Sequence, residues 1–239
     1  AGVAVGDYDR DGWPDIFLCA IDGNPALYKN KGDWGFIDVT YTTGLKEMGR
    51  RHRGAVFADL NGDNWLDLLV GTVDRGIRTY INRGGVFNEM SETSGLAGVY
   101  APMTMALADV DSNGTLDLYV TNNRSSDIRD EGSITLRRVG GELVIPAKYR
   151  KRLLVSGGIV KEYGEADFLF LNDGKGVFRK LSWTEGMFLT PQGEPLSDTP
   201  LDWGLSAAFH DINHDGLPDL YVCNDFWTPD RFWINQGDN

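Results

Sequence analysis

The sequence is short of the residues that most chemistries and most covalent staples require. Its 239 residues hold two cysteines, Cys19 and Cys223, and three histidines, His52, His210 and His214. Two thiols are too few for a disulfide framework. Each lies four residues after the last aspartate of a repeated loop, where it reads as a buried strand residue. Three scattered histidines form no Cys/His metal cluster, and no nucleophile elbow or carboxylate pair stands outside the loops described below. No run of about 18 apolar residues exists, so no segment is expected to span a membrane. The chain begins AGVAVGD, with neither an initiator methionine nor a signal peptide, and is expected to be a processed or partial segment of a longer protein. Positive charge is scarce too: 23 Lys and Arg face 35 Asp and Glu, a net charge of −12. Such a surface repels nucleic acid and anionic membranes.

What the sequence has instead is one nonapeptide four times: DYDRDGWPD at 7–15, DLNGDNWLD at 59–67, DVDSNGTLD at 109–117 and DINHDGLPD at 211–219. An oxygen-bearing side chain occupies positions 1, 3, 5 and 9 of every copy. A hard cation such as calcium takes six to eight oxygen ligands at about 2.3–2.6 Å, and a short loop supplies them by turning alternate side chains inward. The candidate ligands are Asp7, Asp9, Asp11 and Asp15; Asp59, Asn61, Asp63 and Asp67; Asp109, Asp111, Asn113 and Asp117; and Asp211, Asn213, Asp215 and Asp219. The backbone carbonyls at position 7, of Trp13, Trp65, Thr115 and Leu217, complete each set. Glycine at position 6 (Gly12, Gly114, Gly216) permits the turn around the ion. The second copy departs, with Gly62 at position 4 and Asn64 at position 6, and asparagine also tolerates positive φ. One such loop could be a metal-free hairpin turn; four in one register argue for metal. An EF-hand needs a bidentate Glu at position 12. Leu18, Val70, Val120 and Val222 stand there, inside strand-like runs. Up to four Ca²⁺ ions would bring the formal charge from −12 to −4.

Strand signals surround each loop: GVAVGD before the first, then DIFLCA, ALYKN and, past a glycine turn, GFIDVT. A second landmark recurs, an asparagine ending the third strand and then an aromatic: Asn30 to Phe36, Asn82 to Phe87, Asn172 to Phe178. Four-stranded units of about fifty residues predict an all-β chain, a β-propeller of four-stranded antiparallel blades. The blades are expected at about 1–48, 49–99, 100–190 and 191–239, the last ending before its fourth strand. In the third, 55 residues rather than 15 separate the last loop aspartate from the asparagine, so an insertion is expected over 124–166. It carries nine Lys or Arg against six Asp or Glu, a net of +3, while the remainder carries −15. Its cluster Lys148, Arg150, Lys151 and Arg152 is either a solvated hairpin or a contact surface for an anionic or protein partner.

The loop with its preceding small-residue strand, GVAVGDYDRDGWPDIFLC, and the L-Y-x-N-x-G-x-x-F element resemble FG-GAP or VCBS-type calcium-binding repeats. The stretch WGLSAAFHDINHDGLPDLYVCNDFWTPDRFWINQGD and the insertion are similar to the bacterial ASPIC/UnbV-associated proteins and their cartilage-acidic-protein relatives. The resemblance implies an extracellular, periplasmic or cell-surface propeller, commonly of seven blades, of which about four are present here. A closed four-bladed ring is the alternative, with Cys19 and Cys223 on neighbouring blades.

Three roles are open. A calcium-stabilised scaffold for a protein or glycan partner needs only rigid loops. A secreted enzyme, polysaccharide-active or redox, would need a constellation that the sequence does not display, although propellers do carry such activities. A structural part of a cell-envelope or matrix assembly would use the tryptophans, Trp203, Trp227 and Trp233 among them, in packing.

Overall fold

The computed structural model describes residues 2–46, 48–73, 75–124, 126, 128 and 132–237. Its architecture is all-β, with several four-stranded antiparallel sheets. The first sheet is β1 (Val3–Gly6), β2 (Asp15–Leu18), β3 (Ala26–Asn30) and β4 (Phe36–Asp38), paired in chain order. The second repeats it with β5 (His52–Ala58), β6 (Asp67–Thr72), β7 (Gly76–Asn82) and β8 (Phe87–Glu89).

The third sheet starts with β9 (Pro102–Ala108) and β10 (Asp117–Asn122) and then leaves its plane. Two small hairpins follow, β11 (Arg137–Val139) with β12 (Glu142–Val144) and β13 (Leu153–Ser156) with β14 (Ile159–Glu162). The sheet resumes with β15 (Phe168–Asn172) on β10 and closes with β16 (Phe178–Lys180). Because β10 runs away from its loop, the excursion emerges at the end of the sheet opposite that loop. The fourth sheet has three strands, β17 (Gly204–His210), β18 (Asp219–Asn224) and β19 (Arg231–Trp233).

Consecutive sheets stack on three apolar cores. Phe17, Leu27, Leu68 and Phe87 fill the first interface, Leu69, Leu118, Phe170 and Phe178 the second, and Leu169, Trp183, Phe188 and Val222 the third. Burial follows from that stacking. Strands β6 and β10 are buried along their whole length because a sheet covers each face, whereas β2 and β18, in the end sheets, are partly exposed. The leading strands neighbour one another in series, β1 with β5, β5 with β9 and β9 with β17. They approach closely: a Cβ on Gly54 would lie 2.7 Å from the Met103 carbonyl oxygen, so only glycine fits there. Both cysteines are free, Cys19 buried and Cys223 half-buried.

Candidate metal centre

Each nonapeptide closes a β-hairpin at its ninth residue. Asp15 pairs with Gly6, Asp67 with Ala58, Asp117 with Ala108 and Asp219 with His210. Inside the loops the side chains at positions 1 and 5 turn back on the backbone, as short oxygen-bearing side chains do, and so do those at position 3 of the last three copies, Asn61, Asp111 and Asn213. The position-1 carboxylate accepts from the N–H of position 6 in every copy: Asp7 from Gly12 at 2.8 Å, Asp59 from Asn64 at 2.8 Å, Asp109 from Gly114 at 2.9 Å and Asp211 from Gly216 at 2.9 Å. The position-5 oxygen accepts from the N–H of position 7, Trp13 on Asp11, Trp65 on Asp63, Thr115 on Asn113 and Leu217 on Asp215. These bonds hold the loops in one common turn.

Two backbone positions per loop take positive φ. Position 6 does so at Gly12, Asn64, Gly114 and Gly216, with φ of 91°, 67°, 85° and 88°. Position 4 does as well, at Arg10, Gly62, Ser112 and His214, with φ of 59°, 74°, 57° and 63°. The glycines of the sequence mark position 6 in three copies but position 4 in only one. This pair of positions accounts for the odd second copy, whose glycine and asparagine exchange places between two positions that both need the left-handed region.

The ninth residue has a second task. Both oxygens of its carboxylate accept backbone N–H groups, one from position 2 of its own loop and one from the asparagine ending the third strand. For Asp67 these are Leu60 at 3.0 Å and Asn82 at 2.7 Å; for Asp117 they are Val110 at 2.9 Å and Asn172 at 2.9 Å. Asp15 and Asp219 do the same with Tyr8 and Asn30, and with Ile212 and Asn235. All four aspartates are fully buried. Burial outweighs these bonds and pushes the Asp15 and Asp67 carboxyls up to about 6, with neighbouring loop carboxylates adding to the effect.

The asparagine landmark also acquires a role. The Asn82 side-chain amide donates to the Leu66 carbonyl of its own loop at 3.0 Å and to the Tyr8 carbonyl of the first loop at 2.7 Å. Asn172 reaches Leu116 and Leu60 in the same way, and Asn235 reaches Val110. Each repeat thus clasps the loop of the one before it, and all four loops lie at the same end of the stack.

The donors suit calcium. Carboxylate oxygens of Asp7, Asp9 and Asp15 lie within 4.8 Å of one another, as do those of Asp109, Asp111 and Asp117. Oxygens 2.3–2.6 Å from a common ion stand at most about 5 Å apart. One oxygen of Asp9, Oδ1, is buried without a hydrogen-bond partner, and a cation in the loop would satisfy it. The second and fourth loops present the same turn with Asn61 and Asn213 at position 3.

A profile of the FG-GAP-like repeat matches residues 7–70 and 59–120, each span running from one loop to the strand after the next. The chain carries FG-GAP-like repeats. It is homologous to cartilage acidic protein 1, with 23% identity to the mouse (Mus musculus) protein over 99% of this chain and 42% of that one. The human (Homo sapiens) protein is 26% identical over 77% of this chain and 30% of its own length. The Xenopus tropicalis protein is 28% identical over 51% and 19%. The chain therefore spans less than half the length of these curated relatives. A solved structure, a lectin of Agrocybe aegerita that recognises non-reducing terminal N-acetylglucosamine, covers 98% of this chain and 65% of its own at 17% identity. Its TM-score is 0.34, too loose a superposition to carry an argument.

Outside the loops, the candidate contact residues Lys148, Arg150 and Lys151 are exposed. Arg152 is turned inward, donating to Glu162 Oε1 at 2.6 Å and to the Ser126 carbonyl at 2.6 Å. The indoles of Trp203 and Trp227 both donate to the Glu162 carbonyl, at 3.1 and 2.9 Å, and so tie the excursion to the fourth sheet. His52 is fully buried, its ring nitrogens 3.1 Å from the Ala20 carbonyl and 3.0 Å from that of Met48, which is a structural position. His210 and His214 are exposed beside and within the fourth loop. Among the described residues no helix is long and apolar enough to cross a membrane.

Proposed function

We propose that the chain is four blades of a calcium-stabilised, extracytoplasmic β-propeller that serves as a rigid binding scaffold. The observation that carries this reading is the fourfold return of one loop geometry, each copy closed by a buried aspartate and clasped, in the first three, by the next repeat. Bound Ca²⁺ would offset two of the three or four carboxylate charges in each loop. The chain's own groups do the rest: Asx turns orient the donors, and the asparagine clasps hold successive loops in line.

The ends of the stack support a larger ring. Tyr119, on the face of the third sheet covered by the fourth, is 1% exposed, while its counterpart Tyr221 on the open face of the fourth is 41% exposed. Leu169 and Phe232 differ in the same sense, 9% against 48%. The first sheet likewise presents Val3 and Val5 to solvent. A further blade of the same kind would cover such faces. Residues 124–166 are proposed as an insertion in the third blade, with Lys148, Arg150 and Lys151 as a contact surface for an anionic or protein partner. Emerging at the end opposite the loops, it leaves the metal face clear.

Thermal melting after chelation tests the scaffold reading. Extracellular calcium modules bind at about 10⁻⁴–10⁻³ M. At ten times its dissociation constant each site adds about 1.4 kcal/mol, so four occupied loops should raise the melting temperature by roughly ten degrees or more for a chain of this size. Identical melts with calcium and with chelator would refute the reading.

A further inference from the structure

The first loop is unlike the other three in two ways that meet at one residue. It alone has aspartate at both positions 3 and 5, Asp9 and Asp11, where the others pair one aspartate with one asparagine. The loop therefore carries four carboxylates, against three in each of the other loops. It also has a lysine, Lys29, immediately before the asparagine of its third strand, where the later repeats have Ile81, Leu171 and Ile234. From β3 the Lys29 ammonium reaches both of the residues that distinguish the loop, bridging Asp9 Oδ2 and Asp11 Oδ2, the latter at 2.8 Å. The extra negative charge and the only cation at that strand position occur together and touch.

We propose that Lys29 is the resident counter-charge of the first loop, placed to offset its fourth carboxylate and to set its affinity for a divalent cation. Arg10, at position 4, lies over the Trp65 ring, 5.3 Å from its centroid, so the carboxylates are balanced by Lys29. Four carboxylates and one ammonium give −3, equal to the carboxylate charge of each other loop. Without it the loop would hold −4, the apo hairpin would be strained by like-charge repulsion, and a divalent ion would bind more tightly. Lys29 also competes for Asp9 Oδ2 and Asp11 Oδ2, leaving Asp9 Oδ1 as the oxygen free to receive an ion. The lysine is a positioning and charge-setting residue, not a ligand, and its role rests on the calcium-loop reading above.

The first loop can be followed by itself in the full chain through terbium emission sensitised by Trp13, taken as the part of the signal that Trp13→Phe removes, with calcium as competitor. Lys29→Leu should raise the calcium affinity of this loop roughly tenfold at low salt, the scale expected for a unit charge a few ångströms from a divalent ion. It should also lower the melting temperature of the calcium-free chain. Adding Asp11→Asn to it copies the donor set of the third loop and should return both quantities to near their starting values, a rescue that a purely packing role for Lys29 would not give. Lys29→Gln, which keeps the reach and removes the charge, should behave as Lys29→Leu if the aliphatic variant folds poorly. Unchanged or weakened affinity in the charge-removing variants, with the other loops still binding, would overturn the role of Lys29 alone. Absence of calcium binding at every loop of the unaltered chain would overturn the calcium reading with it.

Discussion

Replacing Asn82 by alanine tests the clasp between repeats. The side chain is fully buried and makes three hydrogen bonds, from Nδ2 to the Tyr8 and Leu66 carbonyls and to Oδ1 from the Gly85 N–H at 2.8 Å. At about 1 kcal/mol each, with a further penalty for carbonyls left dry, the loss is about 3–4 kcal/mol. For a chain of this length that corresponds to a fall in melting temperature of roughly 6–15 °C. Asn30 is an internal control, because its side-chain hydrogen bonds stay within its own repeat. Its amide reaches only Pro14 of its own loop, at 3.1 Å, and its carbonyl oxygen accepts from Gly32 at 2.9 Å. Asn30→Ala should cost about 2 kcal/mol or less. The assay is calorimetric melting in saturating calcium, so that altered occupancy of the loops does not contribute. Equal losses in the two variants would refute the inter-repeat contribution, and a change of under one degree in Asn82→Ala would refute the clasp altogether.

Two further outcomes are expected. Asp167, buried between the third and fourth sheets, accepts from the Asn122 N–H at 2.7 Å and the Tyr119 hydroxyl at 3.1 Å, yet burial pushes its carboxyl up to about 7. A folded pKa above the unfolded value of ~3.9 means that the native state holds the proton longer. The contribution to stability is complete below about pH 4 and is lost as pH rises through 7. Asp167→Asn should flatten the stability profile over that interval in denaturant titrations, and parallel profiles would count against it. Reversing Lys148, Arg150 and Lys151 to glutamate should abolish retention of the protein on a sulfated-polysaccharide column at low salt without changing its melting temperature. Equal retention of the two forms would remove the insertion as an anionic contact surface.

The sequence carried the local part of this structure and little of its cross-talk. A nonapeptide with oxygens at fixed offsets followed by aliphatic strands can be read directly, because the period of a hairpin and the needs of a hard cation are both local. The alternating burial of DIFL and the continuous burial of DLLVGT were less legible, since they depend on whether a sheet has one neighbour or two. Positive φ at position 4 was written in Gly62, but Arg10, Ser112 and His214 concealed it. The asparagine landmark was visible while its purpose was not. Asn172 and Leu60 are 112 residues apart, and a backbone carbonyl leaves no mark in a sequence. Asp167 and Lys29 escaped for the same reason: each is an ordinary charged residue until the fold places its partners beside it. Arg152 ran the other way, a member of a basic run that the fold turns inward onto Glu162.

The number of calcium ions bound per chain tests the central claim most directly. Equilibrium dialysis of the full chain against calcium at several millimolar, well above the weakest affinity expected of such loops, should saturate at four ions. A plateau at two or fewer would contradict the account of four equivalent loops built on one repeated hairpin.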